Sequence, residues 1–371
     1  HMEIKRVQTT PINFQGYDAR PLKGIVLRYV QGDKLFAETA QELHDAASKN
    51  KLDVFVQTPD SVHKRDFKNI LRDTALPPNP FVFWTQDNLT FTNNGKVLGN
   101  KFLERINEKI SNFAGRRYEE LQHHLQGGNF SIFKDKNTDK LLLGRDELDF
   151  YHPVTLKKDL NVSEICTLSQ PDFHLDLAIR PLKNKVVLVA DDETMLEQMA
   201  QGINKIKLYL SKNHDPQIRL IQHQMEELYQ MHKACVKDFT YTPAQKIYEE
   251  LQQKGFTPVK TPSRIFRPSL TSDNNDDSHF LLNYMNSVVH EKPDGSLLYL
   301  TNKSMLDDIL GITPEIEKKI DFSFEKIFKD SVKDYIKPED IRFISGGGFV
   351  PKCLSTGPGG VHCLTAEIPK I

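Results

Sequence analysis

The chain has 371 residues, 38% of them hydrophobic, and a formal net charge of -1. That length suits one large domain or two small ones, and the charge balance gives no general support for binding nucleic acid or an anionic membrane. No apolar run approaches the roughly 20 residues needed to cross a bilayer.

No charged start followed by an apolar stretch marks a signal peptide. The four cysteines, Cys166, Cys235, Cys353 and Cys363, include no Cys-x-x-Cys pair. This usage points to a reducing, cytoplasmic setting and away from a disulfide scaffold or a zinc site. Export by a route that reads no such signal stays open.

In chain order, short β-branched runs at 24–30, 53–57, 81–84, 140–143, 185–190, 296–300 and 340–344 are bounded by Gly, Pro, Asn or Asp, as strands are. Residues 36–48 have the helical period. The stretch 101–125 reads as a longer amphipathic helix with Leu103, Ile106, Ile110 and Phe113 on one face. From 193 to 254 the sequence is nearly all helix-forming, with Leu196, Met199, Ile203, Ile206 and Leu210 spaced for one face. A break at 213–216 separates a second helix at 218–236, and a third is expected after Thr242 as cap and Pro243 in the first turn. The alternation predicts an α/β fold with a helical insertion projecting from it. The plain reading of that insertion is scaffold or contact between copies in a homo-oligomer; the alternative is a surface for a protein partner. Residues 271–278 read as a solvated loop that lacks calcium-loop spacing. Gly346-Gly347-Gly348 leads toward Pro351 and reads as a turn or hinge near the active site.

Four segments place polar groups beside glycine or at a strand end: Trp84-Thr85-Gln86-Asp87, Gln126-Gly127-Gly128-Asn129, His174-Leu175-Asp176 and Gly359-Gly360-Val361-His362-Cys363. Singly each has a plain reading. An acid at a strand end is usually a turn former, His-x-Asp is usually structural, and a cysteine behind glycines is usually a small hydrophobe. On an extended chain His174 and Asp176 would share a face, while His362 would point away from Cys363.

Together, in this order, the segments resemble the guanidine-modifying (pentein) superfamily, nearest to its agmatine deiminase and bacterial peptidyl-arginine deiminase branch. The motifs of that branch are Trp-x-Arg-Asp, Glu-Gly-Gly-Asn, His-x-Asp with a later Arg (here Arg180), and a glycine-rich run ending His-Cys-x-Thr (here Thr365). A further weak match is Asn283. The likeness runs from about residue 80 to the C-terminus, interrupted by the insertion. It implies a single catalytic domain over 3–371, built as an α/β propeller of five modules about a pseudo-fivefold axis, with the helical insertion at 193–254 inside it.

The resemblance also implies roles. Asp87 and Asp176 would grip a planar guanidinium by bidentate, charge-assisted hydrogen bonds. Cys363 would attack its central carbon and His174 would serve as acid, then base. Trp84, Asn129 and Gly360 would complete the substrate site. No metal or cofactor is called for. The reaction would hydrolyse the guanidino group through a covalent thiouronium intermediate to a ureido product and ammonia. Gln86 stands where the branch has Arg, Gln126 where it has Glu, and Pro358 intrudes among the glycines. These departures favour arginine, peptidyl-arginine or a related guanidine over agmatine. An amidinotransferase on the same fold, a Cys-His-Asp acyl-transfer enzyme and a non-catalytic binding scaffold are the competing readings.

Overall fold

The computed structural model describes residues 21–28, 34–58, 61–64, 67, 85, 89–92, 94–99, 104–121, 125–135, 138–239, 241–266, 280–348, 350 and 359–370. The first strand, β1 (Leu22–Arg28), runs parallel to β2 (Asp53–Gln57), with helix Lys34–Ser48 as the crossover, and short β3 (Val62–His63) pairs antiparallel to β2. On its other edge β1 takes an antiparallel partner from the far end of the chain, in the register Leu27 to Thr365. The same hairpin-then-crossover pattern recurs downstream. Strand β4 (Leu89–Phe91) pairs antiparallel to β5 (Lys96–Gly99), which runs parallel to β6 (Arg117–Glu120) across helix Glu104–Ala114. Then β7 (Phe130–Asp135), β8 (Thr138–Gly144) and β9 (Glu164–Leu168) repeat it across helix Pro153–Leu160.

In the fourth unit β10 (Ile179–Pro181), β11 (Val186–Ala190) and β12 (Thr257–Thr261) repeat the pattern with three helices in the crossover: Asp192–Leu210, Pro216–Asp238 and Ala244–Gln253. A two-stranded ribbon of β13 (Arg264–Phe266) and β14 (Phe280–Asn283) follows. The fifth unit is β15 (Val288–Glu291), β16 (Leu297–Asn302) and β17 (Ile341–Ile344), with helices Leu306–Ile309, Pro314–Ile320 and Phe324–Val332 between the last two strands. The chain ends with a helical turn, Val361–Leu364, and β18 (Thr365–Pro369), the strand that returns to β1. The architecture is α/β, in several small sheets.

Local chemistry sets these boundaries. Asp215, Thr313 and Ser323 accept from the backbone N–H of Ile218, Ile316 and Lys326, which caps three helices in the way side-chain oxygens do. The expected helix over 101–125 is shorter than its period suggested. It ends at Ala114 because Gly115 takes a positive φ of 68° and Arg116 returns its N–H to Ser111 O at 2.9 Å, leaving 117–120 to form β6. The three helices between β11 and β12 fall where the sequence put them, except that Pro243 replaces Thr242 as the last residue before the third.

Those helices do not stand off the body. Met195, Met199, Ile203, Ile206, Ile218, Ile221 and Met225 are buried in one cluster with Leu188, Tyr284, Tyr299, Phe322 and Phe328. At about 1.5–3 kcal/mol for each large apolar side chain fully removed from water, this face is a main source of cohesion between the fourth and fifth units. Among the described residues no helix is long and apolar enough to cross a membrane.

Candidate active site

Two halves of the chain meet at the site. One is the loop between β9 and β10. His174 is extended, and Leu175–Leu177 then makes a single tight turn that points Asp176 the same way. The loop is tied down on several sides. Asn129 Oδ1 accepts from Leu175 N at 3.2 Å and from Gln170 Nε2 at 2.8 Å, while Asn129 Nδ2 donates to Glu147 at 3.2 Å. Gln170 also donates to Asp172 O at 2.6 Å. Asp172 meets Arg264 at 3.3 Å, and Arg264 makes a two-pronged pair with Asp192 at 2.9 and 2.7 Å. The Arg264 guanidinium lies 4.9 Å from the ring centres of both Phe239 and Phe266. Asp192 opens the first helix of the 192–253 group, so that group is wired to the loop holding His174.

The other half is the turn before β18. Gly360 precedes Val361–Leu364 and lies so close to the Asn302 amide that any Cβ there would overlap it. Asn302 Oδ1 accepts from Val361 N at 2.7 Å, and its Nδ2 donates to Asn283 O at 2.6 Å. Asn283 in turn donates to Leu177 O at 2.9 Å, joining the two halves. Asn286 Oδ1 accepts from the backbone of both His362, at 3.0 Å, and Cys363, at 3.3 Å.

At the junction the reactive atoms of His174, Asp176 and Cys363 lie within 4.8 Å of one another, all three residues buried. The Cys363 thiol donates to Asp176 Oδ2 at 3.4 Å. Asn286 Nδ2 donates to both the Cys363 sulfur, at 3.0 Å, and Asp176 Oδ2, at 2.8 Å. His362 Nδ1 also meets that oxygen, at 2.7 Å, and its other nitrogen lies 3.9 Å from Glu367, which pairs with Arg180 at 3.0 Å. Burial pushes the Asp176 carboxyl up. The hydrogen bond and charge of His362, the charge of His174 and the Cys363 hydrogen bond outweigh it and hold Asp176 below the usual carboxylate range.

His174 Nε2 faces Gln126 Oε1 at 2.9 Å. An oxygen there calls for a proton on Nε2, which leaves Nδ1 as the basic nitrogen of the neutral ring. Nδ1 of His174 and Oδ1 of Asp176 are buried without a hydrogen-bond partner among the described residues. Both border Gly128, where an added Cβ would sit 2.5 Å from the nitrogen and 3.0 Å from the oxygen. Three ligand types this close could share a metal ion. The Asn286 N–H, however, is aimed at both the sulfur and Asp176 Oδ2, where a cation would repel it, so the arrangement is one of hydrogen bonding.

Of the residues expected from sequence, Cys363, His174 and Asp176 come together here, and Gly360 packs on Asn302 at the start of the turn that carries Cys363. Asn129 holds the His174 loop through its own side chain. Trp84 and Asp87 lie outside the described residues, as do Gln86, Cys353, Pro358 and 271–278. Two contributors were missed. His362 was expected to point away from Cys363 on an extended strand, but residues 361–364 are helical, and both side chains reach Asp176. Asn286 lies in the turn after β14 and had no spacing to announce it. Cys166 lies in β9 and Cys235 in helix Pro216–Asp238, where burial raises the Cys235 thiol. The glycines at 346–348 are packed against helix Lys34–Ser48, with Glu42 accepting from Ser345 N and Gly346 N at 3.1 and 2.6 Å.

The sequence matches no family model and no curated protein. Solved structures do match it over nearly its whole length. C. jejuni agmatine deiminase is 16% identical, with 96% of each chain covered and a TM-score of 0.56. A Porphyromonas gingivalis structure provisionally described as an arginine deiminase is 14% identical, with 96% of this chain and 98% of that one covered and a TM-score of 0.51. The fold of this chain is therefore the one found in those deiminases, the fold of the guanidine-modifying (pentein) enzymes.

Proposed function

We propose that the protein is a cysteine-dependent hydrolase of a guanidino group, its five units set about a pseudo-fivefold axis. One observation carries this reading. A nucleophile, an imidazole and a carboxylate are buried together, with two acceptors, His174 Nδ1 and Asp176 Oδ1, that lack donors among the described residues. Leaving buried acceptors unpaired costs about 1–3 kcal/mol each. A planar cation that presents several N–H groups relieves both, and guanidinium is such a cation.

With the cation bound beside Asp176, and Asp87 as the second acid, loss of the Cys363 proton to His174 becomes favourable because the thiolate then faces a positive charge. The sulfur adds to the guanidinium carbon to give a neutral tetrahedral adduct. Protonated His174 returns its proton to one nitrogen, the C–N bond breaks, and ammonia leaves a cationic thiouronium. Water then adds as His174 takes its proton. Collapse of that second adduct breaks the C–S bond, giving the ureido product and the thiolate, and the released proton is taken up by ammonia.

Residue 126 supports a substrate other than agmatine. Its side chain faces His174 and is an amide, so it offers no carboxylate to a distal ammonium. Free arginine or the side chain of a peptidyl arginine fits better, and trapping water in preference to an amine makes the product ureido. Incubation with agmatine, arginine and arginine peptides, with ammonia and ureido product measured, tests this. Turnover confined to agmatine, or loss of turnover on chelation, would overturn it. Asp87→Ala separates guanidine chemistry, which it should abolish, from acyl transfer, which has no use for a second acid.

A further inference from the structure

Adjacent side chains on an extended chain point to opposite faces. Phe173 and His174 break that rule: their ring centres lie 4.3 Å apart, with the planes tilted by 36°. The backbone of Phe173 is pinned on both sides to make this possible. Its N–H donates to Asp172 Oδ1 at 2.9 Å, and its C=O accepts from Gln170 Nε2 at 3.1 Å. The half-buried ring also packs against the cluster of Leu177, Phe266 and Phe280. The imidazole is thus confined by Gln126 at Nε2 and by the Phe173 ring against its face, while Nδ1 borders Gly128. We infer that Phe173 is a positioning residue, whose ring fixes the plane of the His174 imidazole and favours the imidazolium that protonates the leaving nitrogen.

This rests on the reading of His174 as acid and then base. A cation is attracted by the negative face of an aromatic ring, whereas a neutral imidazole gains less there. The charged and titratable groups near His174 are Asp176 and Cys363, within 4.8 Å, and His362, bonded to Asp176. On the Phe173 side, Arg264 pairs with Asp172 and Asp192, so the face of the imidazole meets an uncharged ring. Position matters as well as charge. An imidazole free to rotate would carry Nδ1 away from Asp176 Oδ1, and small misplacements of a reacting group cost rate steeply. An aliphatic side chain of similar size would fill the same space but offer no π face.

The test is a nuclear magnetic resonance titration of ring-labelled histidines in the full chain, with His174 assigned by its loss in His174→Gln. Because no substrate is needed, the result stands whether or not guanidines are turned over. Phe173→Leu should move the His174 titration to lower pH. Its proton affinity should weaken about two- to fivefold, the worth of a cation–ring contact. Phe173→Tyr keeps the π face and should titrate with the wild type. In turnover at neutral pH, Phe173→Leu should lower kcat about tenfold with KM little changed, and Phe173→Tyr should restore it. A folded leucine variant that titrates as wild type, or at higher pH, overturns the inference. So does a tyrosine variant that behaves like the leucine one. If Phe173→Leu does not fold, Phe173→Met carries the same comparison.

Discussion

Glutamine at position 126 is the smallest feature with a consequence for pH. Its Oε1 lies 2.9 Å from His174 Nε2, so the ring is oriented by a neutral acceptor. A carboxylate in the same place would favour the imidazolium, since an opposite charge at hydrogen-bond distance stabilises the charged form. Gln126→Glu should therefore move the pH–rate profile to higher pH. At neutral pH the leaving-group step gains a better-populated acid and the water step loses base. A profile that does not move would mean that residue 126 does not face His174 in the working enzyme. At the same scale, Gly128→Ala should remove most activity, because the new methyl group would press on the two atoms proposed to receive the substrate. Lost turnover with a modest fall in melting temperature is the expected signature.

At the level of elements, the strand-and-helix order was readable because burial on one or both faces leaves a plain hydrophobic pattern. The run 53–57 is strand β2, and 185–190 contains β11. The three helices between β11 and β12 were readable from their period, yet their packing was not. Apolar stripes say that a face is covered without saying by what, and here the cover is Phe322 and its neighbours in the fifth unit. The helix over 101–125 failed at Gly115, whose positive φ ends it. In the site, glycine-flanked residues were visible from their motifs. The asparagines at 283, 286 and 302 were mostly hidden because they act by closing backbone groups across units far apart in sequence. That dependence is testable. Asn302 holds Val361 N and leaves no room for a side chain at Gly360, so Gly360→Ala should displace the Val361–Leu364 turn. Activity should drop at least tenfold while unfolding free energy falls only modestly, by ~1 kcal/mol, the worth of one lost hydrogen bond.

Among the described residues, three buried groups away from the reacting cluster contribute a pH signature to the whole molecule. His290 accepts from Leu22 N and faces Asn50 O, bracing β15 against the first unit, and His232, in helix Pro216–Asp238, accepts from Phe266 N. Burial lowers each to about 4, against the ordinary 6.5. The unfolded chain therefore binds more protons than the folded one across that window. The stability these residues contribute is whole above about 6.5 and is lost as pH falls toward about 4, on the order of 3 kcal/mol for each. Asp307 works in the other direction. It accepts from Phe324 N at 2.9 Å and Glu325 N at 3.3 Å, yet burial raises it to about 6. Its contribution is present below the unfolded carboxyl value and is lost as pH rises through about 6. Acidification from neutral should thus weaken the fold, but by less than the histidines alone would dictate. Urea midpoints measured across this range should show the balance. His290→Gln together with His232→Gln should flatten or reverse the acid loss, and Asp307→Asn should steepen it. If the double histidine variant keeps the wild-type slope, the acid sensitivity belongs to other carboxylates, with Asp176 first among them because its cluster holds it below the usual range.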